Sequence, residues 1–205
     1  DLLEKSGSDP IILRAEDEDK VVVVSPKLVG RVMCAGMDGL ESHTNAFINA
    51  KQVADGFSTS GYGARSGPGD GWNNFGGAER IWFAPEGGAY GFFFKPGVEQ
   101  NWHNYYLSNP LHSVQYQITE KSAEGKSVSF AAPISLVNYA GYTLFLNVTR
   151  KISMLESCSF TAGFEDKIKF VGFESRTFVE NTDGKTLDKY NTPVGVWTVG
   201  VFNSG

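Results

Sequence analysis

Only two cysteines occur, Cys34 and Cys158, far apart in different strand-like runs. That excludes a disulfide-stapled miniprotein and a thiolate metal centre, because neither framework can be built on two distant thiols. Each sits among small or apolar residues, which favours two free thiols and leaves a single disulfide open. The three histidines, His43, His103 and His112, have no short ligand spacing, so no metal or other cofactor is expected. No apolar run is long enough to span a bilayer. The formal charge is −5 and the sequence pI about 5.2. Without a basic excess the chain does not attract phosphate backbones, so nucleic acid is not an expected partner. A Gly-x-Ser-x-Gly elbow is missing, and no glycine run ends in Lys-Ser/Thr before a helix. Ser/His/Asp hydrolysis and nucleotide binding therefore have no support. Helical periodicity is missing too; Thr44 to Val53 reads as loop with one helical turn at most.

What is present points to strands. The 205 residues are 41% hydrophobic and 13% aromatic, with 24 glycines. Aromatics suit half-buried pleated surfaces, and glycines supply the left-handed positions of tight turns. Residues 11–15 and 20–24 flank an acidic turn and read as a hairpin. Further strands are expected at 29–37, 79–84, 90–95, 114–120, 127–131, 143–153, 158–162, 167–181 and 194–202. No linker or repeat divides them, so residues 1–205 form one all-β antiparallel sandwich domain. The sequon Asn147-Val-Thr149 lies inside a strand-like run and is read as chance. The polar start Asp1-Leu-Leu-Glu-Lys reads as a trimmed beginning, so the lack of a leader says nothing of compartment. The last strand stops at Phe202-Asn-Ser-Gly without a polar tail. The expectation is the first portion of a larger domain, truncated at its C-terminal end. Its open sheet edge would then be covered by missing chain or by a second copy.

Residues 55–77 form a long glycine-rich loop interleaved with Phe57, Tyr62, Trp72 and Phe75, and long structured loops are often functional. The run Asn74-Phe-Gly-Gly-Ala-Glu-Arg-Ile-Trp-Phe-Ala-Pro-Glu-Gly-Gly follows. It resembles the Gly-Gly-x-x-Arg-x-Trp-x-x-Pro-Glu-Gly-Gly signature of a poorly characterised bacterial branch of the galactose-mutarotase-like proteins, the aldose epimerase superfamily. Asp38 to Asn49, Trp102 and Asn191 to Phe202 also fit that branch's layout, so the resemblance runs from about Val21 to Phe202. It implies a twisted β-supersandwich with a carbohydrate-facing concave sheet. It also implies export to the periplasm or exterior, with a signal peptide or lipid anchor on the precursor. Full members are nearly twice this length. In the superfamily's epimerases a glutamate of the later half is the general base and a histidine the general acid. The later half is not in this sequence, so the base has no counterpart here.

Arg80 is the first candidate for substrate binding. Relatives place a basic residue after a glycine pair, and a planar fork of donors suits vicinal hydroxyls. The competing role is a salt bridge to Glu79 or Glu86. Glu79 can accept from sugar hydroxyls. Glu86 lies seven residues on, across an odd step that puts the two on opposite strand faces. Glu86 is therefore read as a turn residue. His103, in Gln100-Asn-Trp-His-Asn-Tyr-Tyr, is the leading acid catalyst, with His112 behind it; a surface or structural histidine is the alternative for each. Trp102, Tyr105 and Tyr106 could stack on a pyranose. Trp72 could line a sugar platform, Asn74 opens the signature, and mid-strand Trp82 belongs to the core.

Three functions compete on these residues. The first is a carbohydrate-binding domain of an exported protein. The second is an aldose 1-epimerase or related sugar isomerase, completed by chain beyond this sequence. The third is a non-catalytic structural module of the cell envelope.

Overall fold

The computed structural model describes residues 2–16, 19–54, 75–112, 114–164 and 167–204. Helix α1 (Leu2–Lys5) is a single turn ahead of the first sheet. Strands β1 (Ile11–Arg14), β2 (Val21–Ser25) and β3 (Arg31–Gly36) form that sheet in the order β1-β2-β3, all antiparallel. The central strand, Val-Val-Val-Val-Ser, is buried at every position. An uninterrupted β-branched run is what a strand covered on both faces requires. Helix α2 (Ala50–Ala54) supplies the one helical turn expected before residue 55.

Strand β4 (Arg80–Ala84) follows the glycine pair Gly76-Gly77, and the pair has a steric reason. Gly76 holds φ 80°, and a Cβ there would meet the Phe47 carbonyl oxygen at 1.9 Å. Gly77 holds φ 107° and would meet the Arg31 side chain at 2.9 Å. Only residues without a side chain let these backbones approach. The approach lets Val32 and Glu79 exchange backbone hydrogen bonds, which joins β3 to the start of β4.

The strand expected at 90–95, after Pro85-Glu-Gly-Gly88, does not form. Residues 90–95 make turns, and Gly91 lies so close to Gly87 and the Glu86 carbonyl that a Cβ would stand 2.6 Å from each. The chain folds back on itself, and β4 pairs instead with β9 (Gly195–Val199). Helix α3 (Asn109–His112), another single turn, was not foreseen.

The largest sheet runs β5 (Gln117–Lys121), β6 (Ser127–Val137), β7 (Thr143–Met154) and β8 (Phe173–Asn181), antiparallel throughout. Alternate residues Val128, Phe130, Ala132, Ile134 and Leu136 of β6 face inward. So do Leu144, Leu146, Val148, Arg150, Ile152 and Met154 of β7. They share one core with Val22 and Val24 of β2, and with Ile81, Trp82 and Phe83 of β4. Each fully buried aliphatic or phenyl side chain there contributes about 1.5–3 kcal/mol. Residues 158–162, expected as a strand, hold a 3-10 turn at Ser159–Thr161, where Cys158 O accepts from the Thr161 N–H and hydroxyl. Strand β8 starts only at Phe173. Both cysteines are free and half-buried.

Candidate functional site

Glu79, Arg80, Arg31, Arg150, His112 and Tyr116 are the charged or titratable side chains buried among the described residues. Burying such groups is costly unless each is paired, so their partners decide what they can do. Neighbours along β4 point to opposite faces. Glu79 turns toward the largest sheet, where Oε2 accepts from Arg150 Nη2 at 2.5 Å and Oε1 from Ser175 Oγ at 3.4 Å. The pair clamps β4 to β7 across the core. Tyr116 packs beside it, and burial pushes that phenol up against the pull of Arg150.

Arg80 turns the other way. Its guanidinium lies 4.5 Å from the Trp82 ring, two residues on along the same face. It has no exposed surface, and Nε, Nη1 and Nη2 have no hydrogen-bond partner; neither does Trp82 Nε1. Burial pushes this guanidinium down to about 10, partly offset by Tyr105 and Glu79. The expected salt bridge of Arg80 to Glu79 or Glu86 does not form, because Glu79 is engaged with Arg150 and Glu86 with Tyr105.

His112 sits on α3, fully buried and stacked on Phe75 at 4.7 Å. Arg31 Nη2 stands 3.4 Å from His112 Nδ1, and Arg31 Nη1 donates to the Gly76 carbonyl at 2.7 Å. A guanidinium only donates, so in this contact Nδ1 is the acceptor. His112 therefore fixes the glycine pair and the start of β4, away from solvent. His103 lies on the exposed 3-10 turn Trp102–Asn104, whose first residues are capped by Asn101 Oδ1. The two histidines thus occupy different environments. Trp72 and Asn74 lie outside the described residues.

A run of contacts leads from Arg80 to the surface. Trp82 packs on Phe93 at 4.9 Å, Phe93 on Tyr105 at 5.5 Å, and Tyr105 on Phe94 and Trp102 at 5.7 and 5.6 Å. The Tyr105 hydroxyl donates to Glu86 Oε1 at 2.5 Å. Trp102 is 42% exposed. On the far side of Phe94 opens a groove of about 500 Å³ whose lining includes Phe94, Lys95, Tyr106, Ser108, Asn109 and Ser135. Lys95 Nζ lies 4.9 Å over the Tyr106 ring, and the Tyr106 N–H donates to the Phe93 carbonyl. Aromatic walls with a few polar groups, at this volume, suit a small polar ligand.

Residues 1–205 match the family model described as a family of unknown function (DUF6786). The chain belongs to DUF6786. No curated protein matches this DUF6786 chain, and no solved structure does. Its signature residues therefore take their meaning from geometry. The glycine pair permits close packing, Glu79 clamps two sheets, and Arg80 is buried under Trp82. Among the described residues of this DUF6786 member, no cluster of His, Cys, Asp or Glu could hold a metal, and no helix is long and apolar enough to cross a membrane.

Of Tyr105, Tyr106 and Trp102, which the sequence singled out, Tyr106 lines the groove, and Tyr105 and Trp102 lie in the run of ring contacts beside it. The sequence reading missed Lys95, hidden at the end of a run read as a strand, and it set Glu86 aside as a turn residue. Arg150 had a readable signal, since it falls on the same parity as Leu144, Leu146, Val148 and Ile152. A cation in an apolar inward row needs a partner.

Proposed function

We propose that the chain is a carbohydrate-binding domain of galactose-mutarotase-like, supersandwich architecture, from an exported protein. It would hold its sugar in the groove between Phe94 and Tyr106. The observation that carries this is the groove itself, about 500 Å³ with aromatic walls and Lys95, Ser108, Asn109 and Ser135 beside them. A pyranose has an apolar face for the rings and hydroxyls for the polar groups. Its source in the chain supports the reading too, because one wall follows the signature directly. Calorimetric titration with a panel of monosaccharides and oligosaccharides tests it. Tyr106→Ala should weaken binding about ten-fold, as loss of one stacking ring does. A panel that gives no heat at millimolar sugar refutes the proposal.

A second reading is an aldose epimerase or related sugar isomerase. The observation favouring it is the Tyr105 hydroxyl on the Glu86 carboxylate, beside exposed Trp102 and His103. A hydrogen-bonded phenol and carboxylate can pass a proton. Polarimetry of freshly dissolved glucose and galactose with the full-length protein decides it, and a rate equal to buffer rejects it.

A further inference from the structure

Among the described residues, every polar atom left without a partner on the Arg80 face of β4 is a donor. Arg80 offers Nε, Nη1 and Nη2, and Trp82 offers Nε1. Guanidinium and indole have no acceptor atom, so these groups cannot satisfy one another. Glu79, the nearest carboxylate in sequence, is bonded to Arg150 on the opposite face. The result is one buried positive charge with a rigid fork of N–H groups, held 4.5 Å from an indole ring.

We propose that Arg80 and Trp82 form a receptor for the carboxylate of a small acidic ligand. The donor set decides the class. A carboxylate is planar, carries one charge and accepts two parallel N–H bonds from one guanidinium. A phosphate dianion would need a second cation, and Arg150 is already neutralised by Glu79. On this face of β4 the structure reaches solvent at Trp197. That ring is 38% exposed, stands edge-on to Trp82 at 5.6 Å, and belongs to β9, the outer strand of a two-stranded sheet. The receptor is separate from the sugar groove, which lies across Phe93 and Tyr105. It can serve a uronic acid or another monocarboxylate whether or not the groove binds neutral sugar.

Thermal denaturation of the full chain tests this, in galacturonate, glucuronate, acetate, phosphate or galactose, each against sodium chloride of equal ionic strength. The expected result is a rise in Tm with carboxylates that is absent in Arg80→Met. Arg80→Lys, which keeps the charge and loses the fork, should retain at most about a tenth of the affinity. Circular dichroism confirms that both variants are folded. If Arg80→Met does not fold, quenching of Trp fluorescence by galacturonate in wild type and Arg80→Lys gives the same comparison. The proposal is overturned if no carboxylate exceeds the chloride control, if the rise persists in Arg80→Met, or if phosphate binds more tightly than carboxylate. A response to galactose equal to that of galacturonate also overturns it, while leaving the groove reading intact.

Discussion

Replacing Arg80 by methionine should make the ligand-free protein more stable. The guanidinium has no exposed surface and no hydrogen-bond partner, so folding strips its water and returns little. Burial pushes it down from its ordinary range to about 10, which corresponds to roughly 3 kcal/mol of disfavoured charge at neutral pH. Against this stands the contact of the cation with the Trp82 ring, about 0.5–2 kcal/mol. Methionine fills similar volume and keeps contact with the indole. A net gain of about 1–3 kcal/mol follows, within the range seen when buried charges are replaced by apolar side chains. For a chain of this length that is roughly 2–12 °C in Tm. The pH dependence carries the same sign. A cation whose folded value is lowered costs stability in full below about pH 10. Above that, the folded chain releases its proton before the unfolded chain does, and wild-type stability recovers. Scanning calorimetry in sodium chloride should show the two proteins furthest apart near neutrality and converging above pH 10. A variant less stable than wild type by several degrees at pH 7 would refute the reasoning. Arg80 would then have partners worth more than its burial costs.

Glu79→Gln should destabilise by about 3–5 kcal/mol in urea, because it leaves Arg150 charged and uncompensated in the core. Adding Arg150→Met to that variant should recover part of the loss. Gly76→Ala should cost more than about 2 kcal/mol, since a left-handed φ and a backbone clash with Phe47 act together. Gly88→Ala, at φ 84° with open space around it, should cost only about 1 kcal/mol. A thiol reagent should count two free thiols in the denatured chain and react slowly with native Cys34, whose thiol burial pushes up. A reagent count of zero before reduction would contradict the free-thiol assignment.

Strand order was less legible than strand identity. The valine run of β2 and the alternation of β7 announce themselves, because side-chain period and burial are local properties. The pairing of β4 with β9 is not local, and nothing in Arg80–Ala84 names Gly195–Val199 as its partner. The aromatic run Phe92-Phe93-Phe94 has strand composition yet forms turns, because Gly87 and Gly91 bring the chain back on itself. Around the groove, Tyr106 was visible as one of a polar aromatic cluster. Lys95 was not, since a lysine closing an apolar run reads as an ordinary strand end.

The signature itself shows why residue type alone misleads about role. Its glycines, glutamate and arginine suggested a polar site facing solvent, whereas the fold uses each at a junction between sheets. The glycines admit Phe47 and Arg31, and Glu79 meets an arginine seventy-one residues later in the chain. Arg80 is left with all three guanidinium nitrogens unpartnered among the described residues. A core can carry one such group only if the rest of the fold outweighs several kcal/mol of lost hydration. The three sheets sharing a single apolar core make that affordable here. A chain that needed only a clamp at this junction would have been served by Glu79 and Arg150. The proposed carboxylate receptor would give the unpaired guanidinium beside them a use, and the carboxylate titration measures that directly.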